Sequence, residues 1–159
     1  MRPKAYVGAM RIALYQPDIA GNVGTILRLA ACLGVGVDLI EPMGFAYSDR
    51  ALARAGMDYA GAVEVTRHVD WAAFEAGARG RLVLLTTRGG TRLDQAIFRP
   101  DDVLLLGSET AGLPVALVER LADAAVQIPQ IPGERCLNVS TAGGIVLFEA
   151  LRQCQHRCA

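Results

Sequence analysis

The chain has 159 residues, which suffice for one ordinary domain with a buried core and are too few for two. Its 16 basic residues balance its 16 acidic residues, so the overall charge gives no support for a nucleic-acid partner. Hydrophobic residues make up 52% and the mean hydropathy is +0.30, yet no apolar run reaches the roughly 18 residues of a membrane span. We therefore expect no membrane partner and expect the surplus apolar surface to form the interface of a homodimer.

Arginine accounts for 15 of the 16 basic residues, with Lys4 as the exception. Arginine suits forked contacts to phosphate, whereas GC-rich coding produces the same bias without any function, and both explanations stay open. Residues 1–9 contain no apolar stretch long enough for a signal peptide. We therefore expect a short extension over residues 1–9, a single domain over residues 10–159 and a cytoplasmic protein.

The four cysteines are Cys32, Cys136, Cys154 and Cys158. Without a secretory signal, free thiols are a better expectation than disulfides. Cys154 and Cys158 flank His156, but no second pair lies at the spacing that a four-ligand zinc site requires. We expect no metal.

Hydrophobic patterning and helix-capping residues predict strands and helices that alternate along the chain. The predicted strands are 11–15, 37–40, 63–66, 81–87, 103–106 and 125–128. The predicted helices are 22–33, 48–54, 71–78, 114–122 and a last helix after Ser140, with Asn22, Ser48, Asp70 and Ser140 as N-caps and Gly34 as a stop. Near-continuous apolar strands between helices predict an α/β fold with a mostly parallel sheet covered by helices on both faces.

Three polar segments follow the carboxyl ends of predicted strands, at residues 22–28, 104–114 and 130–140, the second including the end of its strand. Ligands of open parallel sheets bind beyond those strand ends, so the three segments predict one composite site. Neither a P-loop nor a dinucleotide-binding glycine fingerprint is present in the sequence.

The chain resembles the SPOUT family of RNA methyltransferases over roughly residues 10–153. The strings that carry the resemblance are Asn22-Val23-Gly24 with Arg28, then Leu106-Gly107-Ser108-Glu109-Thr110-Ala111-Gly112-Leu113-Pro114, then Ile128-Pro129 continued by Arg135-Cys136-Leu137-Asn138-Val139-Ser140. Two further strings, Glu41-Pro42-Met43-Gly44-Phe45 and residues 54–59, resemble the branch that methylates the ribose of the tRNA wobble nucleotide. The resemblance implies a C-terminal trefoil knot, a homodimer, tRNA as partner and S-adenosylmethionine as cofactor.

The resemblance also implies roles for eleven residues. The catalytic ones are Arg28 and Asn138. The cofactor-binding ones are Leu85, Gly107, Ile128, Cys136 and Leu137, with Cys136 standing where serine is more usual. The substrate-binding ones are Asn22, Glu109, Arg135 and Ser140. Taken without the resemblance, Asn22 is equally a helix N-cap, Glu109 lies in an ordinary strand–helix loop, and Arg28 is a solvated arginine.

These roles imply S-adenosylmethionine-dependent 2'-O-methylation of a tRNA wobble ribose. His68 and His156 lie outside the three motifs, and a guanidinium is very hard to deprotonate, so we favour Arg28 as a positioning and electrostatic group. The alternatives are methylation of another tRNA ribose or a ribosomal RNA ribose, and a non-catalytic RNA- or nucleotide-binding domain. The paired glycines Gly143 and Gly144 inside the last predicted helix indicate close approach of another backbone, which we expect at the dimer interface.

Overall fold

The computed structural model describes residues 9–48, Arg50 and 62–156, and its seven strands form one parallel sheet. The strands are β1 (Arg11–Tyr15), β2 (Gly36–Ile40), β3 (Val65–His68), β4 (Leu82–Leu85), β5 (Thr91–Arg92), β6 (Val103–Leu106) and β7 (Ala125–Gln127). Their order across the sheet is β3-β2-β1-β6-β4-β7-β5. Every pairing is parallel, which confirms the predicted sheet.

Four α-helices of the described residues cover this sheet. They are α1 (Ala20–Leu33), α2 (Trp71–Gly77), α3 (Val115–Arg120) and α4 (Val139–His156), and a 3-10 turn lies at Ala122–Ala124. The predicted helix over 48–54 and the string 54–59 fall mainly outside the described residues. The strand β5 was not predicted, because its two residues are exposed and carry no apolar pattern.

The two faces of the sheet bury separate apolar clusters. The side chains of α1 and α4 pack on one face, with Ile26 and Leu147 fully buried against Ile12, Leu104 and their neighbours. On the other face, α2 and α3 contribute Phe74 and Leu117, which pack on Ala13, Ile40, Leu84, Val103 and Leu105. Consecutive residues of β6 alternate between the clusters, and all four are buried, as its uninterrupted run of apolar residues predicts.

Close packing within the chain explains Gly143. A Cβ atom there would lie 2.9 Å from Ile26 Cδ1 and 3.0 Å from Leu106 Cδ2, so a larger residue would displace the methyl groups on which α4 packs. A Cβ atom at Gly144 would make only an ordinary van der Waals contact, 3.6 Å from Leu29 Cδ2. The structure thus gives a reason for Gly143 within the chain, where side chains and not another backbone approach it, and the expected approach of a second copy stays a prediction.

Two of the predicted helix caps were wrong, one by three residues and the other by two. The helix α1 begins at Ala20 behind Ile19, so Asn22 lies in its first turn instead of capping it. The helix α4 begins at Val139, and its cap is Asn138 in place of Ser140. The cap at Asp70 is confirmed, because its Oδ1 accepts a hydrogen bond from Ala73 N at 2.7 Å.

Candidate active site

A cleft of about 670 Å³ lies beyond the carboxyl ends of β4, β6 and β7. Its apolar floor includes the strand residues Leu85, Leu106 and Val126. Its walls are the loop Thr86–Arg88, the second loop (residues 107–113) and the third loop (residues 128–138). This volume is typical of sites for small molecules and cofactors. The cleft lies where the sequence predicts the composite site.

Eight of the eleven predicted site residues line this cleft. All five predicted cofactor residues are among them, and the eight are Asn22, Leu85, Gly107, Glu109, Ile128, Cys136, Leu137 and Asn138. The other three, Arg28, Arg135 and Ser140, are not part of the cleft lining. Ser140 instead borders a second hollow between α1 and α4, and Arg28 and Arg135 are exposed.

The carboxylate of Glu109 joins the second loop to the segment after β1. Its Oε2 accepts a hydrogen bond from the main-chain N–H of Asp18 at 2.6 Å, and its Oε1 accepts one from Asn22 Nδ2 at 2.9 Å. A carboxylate can only accept, so it orients the Asn22 amide with its NH₂ group toward Glu109. The carbonyl oxygen of Asn22 is thereby turned toward the third loop.

Asn138 completes the chain of hydrogen bonds from the third loop. Its Nδ2 donates to Asn22 Oδ1 at 3.0 Å, and its Oδ1 accepts from Ser140 N at 2.9 Å, Ser140 Oγ at 2.5 Å and Thr141 N at 3.3 Å. Those main-chain donors belong to the first turn of α4, so Asn138 is at once the helix cap and the contact to Asn22. All three polar segments therefore meet in one network along the cleft.

Gly107 is required by the shape of the second loop itself. A Cβ atom there would lie 2.3 Å from the carbonyl carbon of Gly112 and 2.4 Å from Leu113 N. The loop closes on itself through Ser108 N to Gly112 O at 3.2 Å, Gly112 N to Ser108 O at 2.9 Å and Ala111 N to Ser108 Oγ at 3.2 Å. The predicted contact of Gly107 with a cofactor stays a prediction, and the structure adds an independent reason for glycine.

The second hollow has a volume of about 930 Å³ and a mostly apolar lining. Ile145 and Phe148 of α4 lie along it and are 40% and 63% exposed. Thr25 and Leu29 of α1 border it from the other side. Arg28 belongs to the same helix but lines neither the cleft nor this hollow.

Two residues at or beside the cleft were missed from the sequence. Asp18 contacts both Glu109 and Thr110, although no predicted role was given to it. Arg88 lines the cleft in the loop after β4, and no carboxylate within the described part of the chain forms an ion pair with it. Their position directly after β1 and β4 is the signal that could have identified them, because parallel sheets collect ligands at that edge.

Cys136 lines the cleft as an exposed free thiol. Within residues 9–48 and 62–156, no group of three or more histidine, cysteine, aspartate or glutamate side chains is arranged to hold a metal ion. Over the same residues, no helix has both the length and the apolar character needed to cross a membrane.

Residues 9–148 match the SpoU rRNA Methylase family. The chain belongs to this family. A relative from Beijerinckia indica, named tRNA (cytidine(34)-2'-O)-methyltransferase, is 54% identical over 145 residues, which cover 89% of this chain and 90% of the relative. The resemblance to RNA methyltransferases that the three motifs carry is therefore confirmed.

Two solved structures extend the comparison to the fold. One, described as "Structural insights into the 2-OH methylation of C/U34 on tRNA", matches with a TM-score of 0.84 at 39% identity, covering 92% of this chain and 96% of that chain. The other is an AdoMet-bound rRNA methyltransferase from Sinorhizobium meliloti, with a TM-score of 0.79 at 33% identity, covering 91% of this chain and 56% of that chain. The α/β fold is confirmed, and the knot stays a prediction from the resemblance.

Proposed function

We propose that this protein transfers a methyl group from S-adenosylmethionine to the 2'-oxygen of the ribose at the wobble position of tRNA. The observation that carries the proposal is the network Glu109–Asn22–Asn138, which joins the three motif segments along one cleft. The similarity to the Beijerinckia indica relative supports the same substrate. A single domain over residues 10–159 would hold the whole site.

The cleft suits S-adenosylmethionine in size and chemistry. Leu85, Ile128 and Leu137 offer apolar surface for an adenine ring, and the exposed main chain of the second and third loops offers donors and acceptors for its polar edge. If Cys136 takes part through its main-chain N–H, the change from serine costs little affinity, whereas loss of a serine hydroxyl that binds the cofactor would lower it. When bound, this cofactor supplies a methyl group on a sulfonium, which is already a good leaving group.

The chain itself must then align the ribose oxygen and direct its proton away. Asn138 is held at the cleft with its amide orientation fixed from both ends, which supports its proposed role in orienting the ribose. Arg28 would hold the ribose and its phosphate by charge and forked hydrogen bonds, and the ribose proton would leave to water or phosphate. Asn22, Glu109, Arg135 and Ser140 would shape the surface that receives the RNA.

We further propose that the protein acts in the cytoplasm as a homodimer without a bound metal. A second copy is the occupant that suits the hollow between α1 and α4, because Ile145 and Phe148 expose apolar surface there on an otherwise packed helix. Sedimentation of the wild type should give a dimer at micromolar concentration, and Phe148→Glu should shift it to a monomer. A monomeric wild type would remove this part of the proposal.

The decisive experiment is transfer of a labelled methyl group from S-adenosylmethionine to tRNA, followed by mapping of the modified nucleotide. A matched tRNA that already carries a 2'-O-methyl group at position 34 lacks the acceptor and should take up no label. If the label maps to another tRNA ribose, or to ribosomal RNA offered in parallel, that ribose is the substrate and the wobble ribose is not. Cofactor binding without any transfer would favour the non-catalytic alternative.

A further inference from the structure

The second loop is fixed to the rest of the protein by four hydrogen bonds. Within the described chain, each hydrogen bond by which residues 108–112 contact another segment goes to Asp18 or to Asn22. The remaining hydrogen bonds of those residues lie inside the loop and set its shape. The position of the loop beside the cleft therefore depends on these four contacts.

Asp18 takes part in three of the four. Its Oδ2 accepts from Thr110 N at 3.1 Å and from Thr110 Oγ1 at 2.6 Å, while its own main-chain N–H donates to Glu109 Oε2 at 2.6 Å. The contacts are reciprocal, because each segment both donates to and accepts from the other. They bridge 91 or 92 residues of sequence, so no local turn can replace them.

Asp18 is in turn held from the opposite side. Gly44 N donates to Pro17 O at 2.9 Å, and a Cβ atom at Gly44 would lie 2.9 Å from the Cα of Asp18. The segment after β2 therefore packs directly on the main chain of Asp18. A side chain backed in this way can hold a loop in place, whereas one on a freely moving segment could not.

We propose that Asp18 is a positioning residue for methyl transfer, which sets the place of the second loop at the cleft through Thr110. The inference rests on the proposed function for the reaction and extends it to a residue outside the three motifs. Glu109 and Gly107 both belong to the loop that Asp18 holds, so its loss misplaces the cleft wall without removing any group that lines the cleft. A displacement of about 1 Å in such a wall costs up to about a hundredfold in rate.

The test compares variants that differ only in this contact. Asp18→Ala should lower the single-turnover rate of methyl transfer by about ten- to a hundredfold and should also weaken S-adenosylmethionine binding. Asp18→Asn keeps an oxygen acceptor and should recover much of the loss. Thr110→Val removes only the hydroxyl donor and should slow transfer, whereas Thr110→Ser, which keeps it, should resemble the wild type.

A double-mutant cycle separates positioning from general stability. If Asp18 acts through Thr110, the double variant Asp18→Ala/Thr110→Val should be no slower than Asp18→Ala alone. Asp70→Ala is the matched control, since Asp70 also follows a strand and accepts a main-chain hydrogen bond, but does so at α2. It should lower thermal stability and leave the transfer rate within about twofold of the wild type.

Three results would overturn the proposal. They are an Asp18→Ala protein with wild-type rate and wild-type cofactor affinity, an equal loss of rate in Asp70→Ala, or a Thr110→Ser protein as slow as Thr110→Val. If Asp18→Ala does not fold, the comparison of Thr110→Val with Thr110→Ser decides whether the proposal holds. If the wild type methylates no tRNA, the proposed function fails, and cofactor affinity measured by titration without RNA still decides the role of Asp18.

Discussion

The two ends of the parallel sheet both carry polar networks, and their surroundings differ. At the amino end, Asp102 is fully buried and accepts from Arg81 Nε and Nη2, each at 2.8 Å, and from Arg99 N at 2.8 Å. These hydrogen bonds with Asp102 raise the pKa of Arg81 even though partial burial opposes the charge. At the carboxyl end, Glu109, Asn22 and Asn138 are linked equally well but border an open cleft.

Hydrogen bonding alone therefore does not distinguish a functional network from a structural one. The pair Arg81–Asp102 joins the starts of β4 and β6, which are neighbours in the sheet, and neither residue lines the cleft or the second hollow. The network at the other end joins segments up to 116 residues apart and presents their side chains to a cavity. We expect changes at the amino end to affect folding and changes at the carboxyl end to affect transfer.

Arg28 should give the largest effect on transfer, and it is also the residue that this comparison explains least. Arg28 does not line the cleft. If only residues that line the cleft contribute to methyl transfer, the rate of Arg28→Ala should be nearly normal. We predict instead a loss of about 10²- to 10³-fold in single-turnover rate with cofactor affinity retained, as for removal of one preorganised charge-stabilising donor. Both quantities can be measured on the same preparation.

Further variants identify how Arg28 acts. Arg28→Lys should recover little, because an ammonium does not reproduce the forked geometry of a guanidinium. Substantial recovery by lysine at high pH would instead indicate an arginine base. Arg79→Ala is the control for loss of an exposed positive charge elsewhere. Near-normal transfer by Arg28→Ala would return the residue to a solvated helix position.

Arg81→Ala tests the amino end. It leaves the fully buried Asp102 carboxylate with only the Arg99 N–H as a partner, and an uncompensated buried charge is strongly destabilising. Because Arg81 is itself partly exposed, we expect a loss of about 2 kcal/mol in the free energy of unfolding, smaller than for a fully buried pair. Denaturant unfolding measures it. The transfer rate of the folded variant should match the wild type, and a slow but stable variant would contradict the division between the two ends.

Asn138→Ala tests whether one residue can contribute both to folding and to methyl transfer. Its side chain caps α4, so its loss should lower the free energy of unfolding by about 0.5–2 kcal/mol. It also contacts Asn22 in the cleft, so transfer should fall by about tenfold, beyond what stability explains. Asp70→Ala removes a cap without a cleft contact and is the matched comparison. Full activity in a folded Asn138→Ala protein would leave Asn138 as a helix cap alone.

The sequence predicted the sheet well because burial on both faces leaves an uninterrupted apolar pattern, as in β6. It predicted the cap at Ser140 wrongly because Asn138, two residues earlier, also suits a helix start, and the cap at Asn22 wrongly because α1 begins behind Ile19 without any side-chain cap. The sequence also gave no sign of what Gln153 does in the last helix. Its Oε1 accepts from Phe98 N at 3.0 Å and its Nε2 donates to Ala96 O at 2.9 Å, so it joins that helix to the segment after β5.

The contact between Asp18 and Thr110 could not be predicted from the sequence for a different reason. Its partners are 92 residues apart, and neither belongs to a pattern that periodicity or capping rules detect. The composite site was predictable only as a location, because strand ends identify an edge of the sheet. Which side chains meet at that edge depends on strand order, and the order β1-β6-β4-β7 is not written in the local sequence.

The smallest expected effect is the pH dependence at Glu149, on the helix face away from the cleft. Hydrogen bonds from Arg152 and Gln153 lower the pKa of Glu149 from 4.5 to about 2. A lowered pKa means that the ionised form favours the folded state, so this stabilisation is complete above about pH 4.5 and is lost as the pH falls toward 2.

The cluster of Glu149, Arg152 and Gln153 is largely solvated, so Glu149→Gln should cost less than about 1 kcal/mol at neutral pH. Unfolding measured from pH 7 down to pH 2 should show the wild type and the variant converging. A difference that stays constant over that range would mean that the charge of Glu149 does not contribute, and that the hydrogen bonds to Arg152 and Gln153 act equally through a neutral side chain.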